Sequence, residues 1–325
     1  MAGANAAASG GKQVRVGLVL EQVLVGRESD PFQYDAFRAL KRTQRKLPIQ
    51  AKAVSPSPTG ADTYDAPFSW LARQRYKLVI GVGFLELQAL SHTAHMFRDQ
   101  KFAILDATRQ DIPERHPPTN VEGTIFHSEE AAYLAGFVAA RMAEDRRPSS
   151  HVISAVGGVN IPGVDSYIAG FQAGAKRADP KITVLKTFSG SFTAKAPCAN
   201  AARTQIDRGS TVVFNVAGAC GIGALKTAQK RGVYGIGVDI DQSYLGDYVL
   251  TSVIKNLDLA VYKLSKPLIH GQLHTGGNLN FDLRNHGVYL GQFSPKVSRS
   301  IRRQLIPLRR QIESGKIHVP STLSP

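Results

Sequence analysis

Residues 152–187 read VISAVGGVNIPGVDSYIAGFQAGAKRADPKITVLKT. The stretch begins with a short apolar run, Val152–Ala155, and ends with a second one, Ile182–Thr187. Between the two runs, Val164–Ala178 is predicted to form a helix. Two β-rich runs joined by one helix are typical of a right-handed βαβ unit, in which the two strands are parallel. The stretch therefore predicts an α/β fold with a parallel sheet.

The same alternation of strands and helices extends along the chain in both directions. Strands recur about every 30 residues, as expected for consecutive βαβ units, and they fall into two groups of four. The predicted strands are Val14–Leu20, Ile49–Val54, Leu78–Gly81, Phe102–Leu105, Val152–Ala155, Ile182–Thr187, Thr211–Val216 and Gly235–Val238. The predicted helices between and after them are Pro31–Lys46, Asp62–Arg75, Phe84–Phe97, Glu129–Glu144, Val164–Ala178, Lys195–Arg208, Ile222–Arg231 and Asp258–Ile269. We therefore expect two doubly wound parallel-sheet lobes.

The chain is expected to cross between the lobes more than once. A Pro-Pro pair precedes an extended stretch near Val121, which marks the first boundary, and the pieces after Val238 are too small to form a third domain. Several crossings would form a multi-strand hinge, on which two α/β lobes can close around a ligand. The predicted parts are a flexible tether (1–13), an N-terminal lobe (14–120 with about 251–283) and a C-terminal lobe (121–250 with about 284–325).

The chain is basic, with a net charge of +15 and a pI near 9.9 over 325 residues. Lys and Arg are spread along it, and the densest stretch, Lys296–Lys316, combines its charge with apolar residues at helical spacing. This pattern predicts a docked terminal helix with a solvated basic face. Without zinc-finger spacing, RNP-like aromatics or a helix-turn-helix signature, we expect no nucleic-acid partner. The charge instead favours an anionic membrane surface.

The sequence contains no apolar run long enough to span a bilayer. Met1–Lys12 is rich in Ala, Gly and Ser and is too polar for a signal peptide, so we interpret it as a tether. A leader or a lipid-bearing cysteine upstream of it is compatible with this interpretation.

Polar and aromatic residues gather where the predicted strands end, which is where open parallel sheets bind ligands. The fourth strand of each half ends in an acid, and the third strand of each half ends in glycine, Gly81 and Gly83 in the first half and Gly218 in the second. An aromatic follows the first strand of the first half, and another follows the second strand of the second half. The candidate set is Asp30, Phe32, Asp106, Phe192, Gly218, Asp239 and Lys255.

The chemistry of this set favours a flat ligand with hydroxyl groups. Aromatic side chains stack on planar rings, and carboxylates accept hydrogen bonds from hydroxyl or N–H groups. The chain lacks a GxxxxGK[ST] loop and a GxGxxG of correct spacing, which disfavours a triphosphate or a dinucleotide. We expect no cofactor and no metal, and no catalytic Ser-His-Asp arrangement is identifiable.

A structural alternative exists for each candidate. Phe32 lies on the apolar face of a predicted helix and also suits a core position, as Phe192 does to a smaller extent. Acids such as Asp106 and Asp239 often cap the helix that follows a strand, and Lys255 also suits a surface ion pair.

The two cysteines, Cys198 and Cys220, form neither a CxxC nor a zinc pattern. Cys198 opens the helix after the second strand of the second lobe, and Cys220 follows the third strand, so both are expected at the same end of one sheet. A disulfide between them is therefore geometrically feasible in an oxidising compartment.

Several linked motifs occur along the chain: EEAAYLAGFVAARM at 129–142, VGGVNIPGVDSYIAGFQAGAKRADP at 156–180, then SGSFTAKA, FNVAGACGIGA, GIGVDIDQ and VLTSVIKN. In sequence and in order, they resemble motifs of the basic membrane lipoprotein family, the purine-nucleoside-binding (PnrA-like) substrate receptors of ABC transporters. The resemblance spans roughly residues 14–270. It implies a type I periplasmic-binding fold with three interlobe strands.

The resemblance also implies roles for individual residues. Phe32 and Phe192 match the two stacking walls, Asp106 the acid that faces the base, and Asp239 the acid that holds the ribose hydroxyls. Lys255 matches the lysine of the crossing strand.

In the same comparison, Gly218 matches a close-approach glycine. The first loop of the family reads Asp-x-Ser-Phe-Asn, whereas this chain has Asp30-Pro31-Phe32-Gln33, and Ala194 stands where an acid is usual. These departures affect the position that helps to select the base.

By this resemblance the chain is a non-enzymatic, monomeric receptor outside the cytoplasm, lipid-anchored in its full-length precursor. It would capture a purine nucleoside between its lobes and deliver it to an ABC permease in the membrane. The alternatives are another planar or sugar-like ligand, such as a free base or riboflavin, a cytoplasmic ligand-sensing regulator, or an enzyme such as a nucleoside hydrolase.

Overall fold

The computed structural model describes residues 13–22, 26–56, 64–146 and 151–323. The predicted tether, residues 1–13, lies outside this part of the chain except for its last residue. The strands are β1 (Val14–Val19), β2 (Ile49–Val54), β3 (Leu78–Val82), β4 (Lys101–Leu105), β5 (Val121–Phe126), β6 (Val152–Gly157), β7 (Thr183–Phe188), β8 (Val212–Val216), β9 (Tyr234–Asp239), β10 (Val249–Lys255), β11 (Asn278–Phe281) and β12 (Val288–Leu290).

Helices connect these strands at nearly the predicted positions. They are α1 (Pro31–Lys46), α2 (Asp65–Arg73), α3 (Leu87–Met96), α4 (Ser128–Arg146), α5 (Pro162–Ala178), α6 (Lys195–Asp207), α7 (Gly218–Lys230), α8 (Leu257–Leu268) and α9 (Arg299–Glu313). Short 3-10 turns lie at Phe84–Glu86, Arg109–Asp111 and Ser243–Leu245. The predicted helix Phe84–Phe97 is thus a 3-10 turn followed by α3, and the first residues of the predicted helix Asp62–Arg75 lie outside the described residues.

The strands form two separate six-stranded sheets, one in each lobe. The first has the order β11-β5-β4-β3-β1-β2, and all of its pairs are parallel. The second has the order β12-β10-β9-β8-β6-β7 and is parallel except for the β10–β12 pair. Every residue of β3, β8, β9 and β10 is buried, because helices cover both faces of each sheet. The predicted α/β architecture with two doubly wound lobes is confirmed.

Strand pairing moves the predicted lobe boundaries. β5 pairs with β4 in the first sheet, so the chain leaves the first lobe after Phe126 and not at residue 120. β10 pairs with β9 in the second sheet, so the chain returns to the first lobe after Lys255 and not at residue 251. The sequence pattern marked breaks between elements, whereas hydrogen-bonded partners decide which sheet a strand joins. The chain crosses a third time between β11 and β12, at 282–287.

Glycines allow α4 and α5 to pack with their backbones almost in contact. A Cβ at Gly174 would overlap the carbonyl of Tyr133, and one at Gly136 would overlap the carbonyl of Phe171. Gly170 faces the backbone of Glu129 in the same way. The glycine spacing that marks residues 156–180 therefore serves close packing of two helices, which fixes the start of α5 relative to the start of α4.

The basic segment near the C-terminus forms the predicted docked helix, α9, which packs against α4. Leu305, Leu308 and Ile312 are buried on one side, while Arg299, Arg303 and Arg310 remain exposed on the other. Within the described part of the chain, none of the helices has the length and apolar character needed to cross a membrane.

Candidate ligand-binding site

A cavity of about 440 Å³ lies between the two lobes. Residues from the ends of strands in both sheets line it, as expected for doubly wound sheets. The structure brings all eight predicted site residues to its wall: Asp30, Phe32, Gln33, Asp106, Phe192, Gly218, Asp239 and Lys255.

A polar network connects the two lobes inside the cavity. Lys255, the last residue of β10, donates from its Nζ to Asp106 at 2.5 Å and lies 3.5 Å from the nearer carboxylate oxygen of Asp239. The hydroxyl of Tyr167 donates to the same Asp239 oxygen, Oδ1, at 3.0 Å. The lysine is therefore held by one carboxylate from each lobe.

The electrostatic balance of this network keeps the lysine charged. Burial by itself lowers the pKa of Lys255, but the carboxylates of Asp106 and Asp239 outweigh burial and raise the pKa above its usual value. Asp106, which follows β4, and Asp239, the last residue of β9, both adopt positive φ angles, 62° and 63°. These uncommon conformations at matching places in the two lobes turn both carboxylates toward the same lysine.

Two phenyl rings stand on the cavity wall. Phe32 is the second residue of α1 in the first lobe, and Phe192 lies in the loop between β7 and α6 in the second lobe. Both are half-buried, and both line the cavity while packing against the hydrophobic core. Lys255 Nζ lies 5.4 Å from the centroid of the Phe32 ring.

Glycines make room for Phe192. A Cβ at Gly158 would overlap its ring, and a Cβ at Gly218 would come within 3.3 Å of its carbonyl oxygen. Gly218 also has a φ of 53°, which favours glycine. The carbonyl of Phe192 accepts a hydrogen bond from the N–H of Cys220 at 2.9 Å. The start of α7 thus holds the loop that carries the ring.

The predicted disulfide between Cys198 and Cys220 is present and lies in the core of the second lobe. It joins the first turn of α6 to the first turn of α7, and the two Cα atoms are 5.6 Å apart. Both helices begin beside the loop that carries Phe192. The disulfide therefore fixes the starts of α6 and α7 relative to each other and to this loop.

Asp30 and Gln33 have structural roles at the start of α1. Asp30 is the N-cap, and its carboxylate accepts from the N–H of Gln33 at 3.0 Å. The Gln33 side chain is buried, and its amide donates to the carbonyl of Val82 while its oxygen accepts from the N–H of Glu21. Burial raises the pKa of Asp30 to about 6. Both polar atoms of the Gln33 side chain therefore form hydrogen bonds with backbone groups of the protein.

Further residues line the cavity that the sequence did not reveal. Tyr167 follows the apolar spacing of α5 and gave no polar signal, and Glu21 is separated from the recognisable loop motif. Glu129 and His127 form an ion pair, which raises the pKa of His127 to about 9. Ser321 and Thr322 come from the segment after α9, and only the folded chain shows that this segment reaches the cavity.

The cavity wall combines flat apolar surface with charged groups. It offers two phenyl rings, several carboxyl groups and one lysine that its neighbours neutralise. The part of the chain that the structure describes contains no group of three or more His, Cys, Asp or Glu side chains able to hold a metal ion.

Comparison with known proteins defines the class. The fold of the chain is that of two-lobed solute-binding proteins. It superimposes on an ABC-transporter solute-binding protein from Aeropyrum pernix K1 with a TM-score of 0.80 at 22% identity. The superposition covers 96% of this chain and 94% of the other. It also superimposes on a structure described as a transcriptional activator of the comK gene from Bacillus halodurans, with a TM-score of 0.76 at 20% identity, covering 94% and 99%. These likenesses establish a type I periplasmic-binding fold.

Residues 14–322 match the family described as Bmp, ABC transporter substrate-binding protein PnrA-like, and the chain belongs to this family. The chain is 30% identical over 279 residues to the ABC transporter nucleoside-binding protein BmpA of Lactococcus lactis subsp. cremoris, covering 80% of this chain and 76% of that protein. It is 28% identical to basic membrane protein D of Borreliella burgdorferi, covering 89% and 83%. The family resemblance predicted from the motifs is confirmed.

Membership makes the protein an ABC substrate-binding receptor. The family implies a small-molecule ligand, a permease partner in the membrane and a location outside the cytoplasm.

Proposed function

We propose that this receptor captures a purine nucleoside between its lobes and delivers it to an ABC importer without chemical change. The observation that carries the proposal is the meeting of two phenyl rings with the Asp106–Lys255–Asp239 network in one cavity. Phenyl rings stack on planar bases, and carboxylates accept hydrogen bonds from ribose hydroxyls and base N–H groups. The eight predicted residues are proposed as ligand contacts or supports of this site.

The charge of the cavity favours a nucleoside over a nucleotide. Among the described lining residues the cationic groups are Lys255 and His127, and each is paired with a carboxylate of its own. The carboxyl groups Asp111 and Glu129 add to Asp106 and Asp239 on the same wall. A phosphate would meet this negative field without an unpaired cation to balance it, which selects against phosphorylated ligands.

The volume is consistent with a nucleoside-sized molecule. A cavity of about 440 Å³ falls within the range typical of small-molecule sites. The relative from Lactococcus lactis is named as nucleoside-binding, which supports the same ligand class here. Free bases and riboflavin are the second candidates, because they share the planar ring that the two phenyl groups would contact.

We further propose that the two lobes close as units, with the first lobe formed by residues 14–126, 256–281 and the second by the rest of the described chain. The three crossings would serve as the hinge, and the interlobe position of the cavity supports closure on the ligand. We also propose that the protein is a monomer, that its full-length precursor is lipid-anchored, and that it does not turn over its ligand. Family membership favours this receptor over a cytoplasmic regulator, although both use the same fold.

A thermal-shift screen of nucleosides, nucleotides, bases, riboflavin and sugars tests the function. A bound ligand stabilises the folded state by RT ln(1 + [L]/Kd), so purine nucleosides should raise the melting temperature and their monophosphates should not. Incubation of the protein with inosine or adenosine, followed by analysis for free base, should show no turnover. No response to any purine nucleoside would contradict the proposed ligand, and release of base would contradict the proposal of a receptor.

A further inference from the structure

Three carboxyl groups cluster where Phe32 enters the cavity. Glu21 lines the cavity, Asp30 caps α1 next to it, and Glu86 lies fully buried in the 3-10 turn after β3. Gly83 packs between the ring and the first of these groups: a Cβ there would lie 3.3 Å from Glu21 Oε1 and 3.6 Å from the Phe32 ring. The Glu21 carboxyl therefore lies beside the edge of the ring on which a base would stack.

Among the described residues, the groups around this cluster provide no positive charge. Glu86 accepts from the N–H of Val82 with one oxygen, and its other oxygen has no hydrogen-bond partner among the described residues. Tyr64 contributes a phenol, and Gln33 contributes an amide whose atoms are already bonded within the lobe. Across the cavity, Lys255 and His127 are each paired with another carboxylate.

This environment determines whether the carboxyl of Glu21 holds its proton. Burial, together with the charge of Asp30, raises the pKa of Glu21 to about 8, and burial raises the pKa of Glu86 well above its usual value. At neutral pH, Glu21 is therefore mostly protonated. A protonated carboxyl presents one donor and one acceptor side by side, whereas a carboxylate presents acceptors alone.

We propose that Glu21 determines which base the cavity accepts, by holding its proton and offering one donor and one acceptor to the edge of a ring stacked on Phe32. This inference rests on the proposed nucleoside function. Gln33 occupies the position that departs from the family pattern, but its amide is committed to Val82 and Glu21. The carboxyl of Glu21, which lines the cavity, is therefore the group that selects the base.

The predicted preference follows from matching hydrogen-bond patterns. Adenine presents an amino donor beside a ring-nitrogen acceptor, and hypoxanthine presents a ring N–H donor beside a carbonyl acceptor, so both complement a protonated carboxyl. Guanine shares this N–H and carbonyl pattern with hypoxanthine, and its second edge, with two adjacent donors, complements a carboxylate. Adenine lacks such an edge, so the wild-type protein should lose affinity for adenosine relative to guanosine as the pH rises and Glu21 loses its proton.

Calorimetric titration of adenosine over a range of pH tests the inference with the full chain. Because binding needs the proton of Glu21, adenosine affinity should fall about tenfold between roughly pH 7 and pH 9. Glu21→Gln keeps a donor and an acceptor that do not titrate, so it should bind adenosine near pH 7 and lose most of this pH dependence. Glu21→Ala should bind at least about tenfold more weakly near pH 7.

The variants also separate two kinds of failure. If wild-type protein binds no purine nucleoside, the proposed function is wrong. If it binds but its affinity does not change with pH, the role of Glu21 is overturned. If Glu21→Gln shows the wild-type pH dependence, that role is overturned as well, and another group, such as His127, carries the titration. Circular dichroism of each variant verifies that it is folded, and Glu144→Gln, at an exposed carboxyl on α4, should behave as wild type.

Discussion

The ammonium of Lys255 in the second lobe donates to the carboxylate of Asp106 in the first lobe, at 2.5 Å. The lysine side chain is only 6% exposed, and Asp239 approaches it from its own lobe. A single cation therefore compensates two carboxylates that burial would otherwise destabilise.

Replacing Lys255 with methionine should destabilise the protein. The substitution leaves Asp106 and Asp239 buried without their cation, which costs about 3–5 kcal/mol when one partner of a buried pair is removed. Urea denaturation measures the effect, and ligand binding should be lost as well. Lys226→Met is the matched control, because Lys226 also pairs across the lobes, with Glu28, but is half exposed; it should cost less than about 1 kcal/mol. Equal losses in the two variants would contradict the role of burial.

Replacing either aromatic wall with alanine should weaken nucleoside binding. A stacked ring contributes about 1–3 kcal/mol per base, so Phe32→Ala and Phe192→Ala should each raise Kd by roughly 5- to 150-fold. Isothermal titration calorimetry measures the change. Phe37→Ala is the control, because Phe37 is a half-buried phenylalanine on the same helix as Phe32 but does not line the cavity. A similar loss of affinity in all three variants would indicate a general effect on packing.

Breaking the disulfide should lower stability without unfolding the first lobe. Cys198 and Cys220 are 22 residues apart, and closing a loop of this length contributes about 3 kcal/mol. The Cys198→Ala/Cys220→Ala double variant and the reduced wild-type protein should both lose this amount in urea denaturation. Nucleoside affinity should also fall, since the link holds the loop that carries Phe192. A double variant as stable as the oxidised protein would show that the link constrains little.

Stability should depend on pH through Asp35, which lies in a second interlobe cavity of about 480 Å³. Burial and the charge of Asp258 raise the pKa of Asp35 to about 6 from an ordinary value of 3.8. The folded state therefore holds more protons than the unfolded state between these values, and the free energy of unfolding falls as pH rises through this range. Asp35→Asn should be more stabilising relative to wild type near pH 7 than near pH 4. Thermal unfolding at both pH values checks this, and a pH-independent difference would contradict it.

Much of the fold could be predicted because the strands and helices carry local signals. Apolar runs and helix caps lie within each element, and α1 and β2 have the predicted bounds. The short strand β11 was not predicted, since only one of its four residues, Phe281, is buried and its pairing with β5 joins segments far apart in sequence. Lobe membership of β5 and β10 depends on the same kind of distant pairing.

The site residues also fall into those that local sequence signals could place and those that depend on tertiary packing. Residues that follow strands directly, such as Asp106 and Asp239, could be placed from topology, because the ends of parallel strands meet at one edge. Tyr167 and Ser321 could not, since a buried tyrosine on a helix resembles core and the path of the C-terminal segment depends on tertiary packing. Gln33 was predicted as a contact; it lines the cavity, while its amide donates to the carbonyl of Val82 and its side-chain oxygen accepts from the N–H of Glu21.

The late position of β11 in the chain has a consequence for biosynthesis. On a ribosome, β5 is made about 150 residues before its outer neighbour β11, and all strands of the second sheet except β12 are made in between. The first sheet therefore keeps an unpaired edge while most of the second is assembled, and such edges invite wrong pairing. The first lobe is complete only once β11 has been made, and the second only once β12 and α9 have been made, so the two halves mature in overlapping periods.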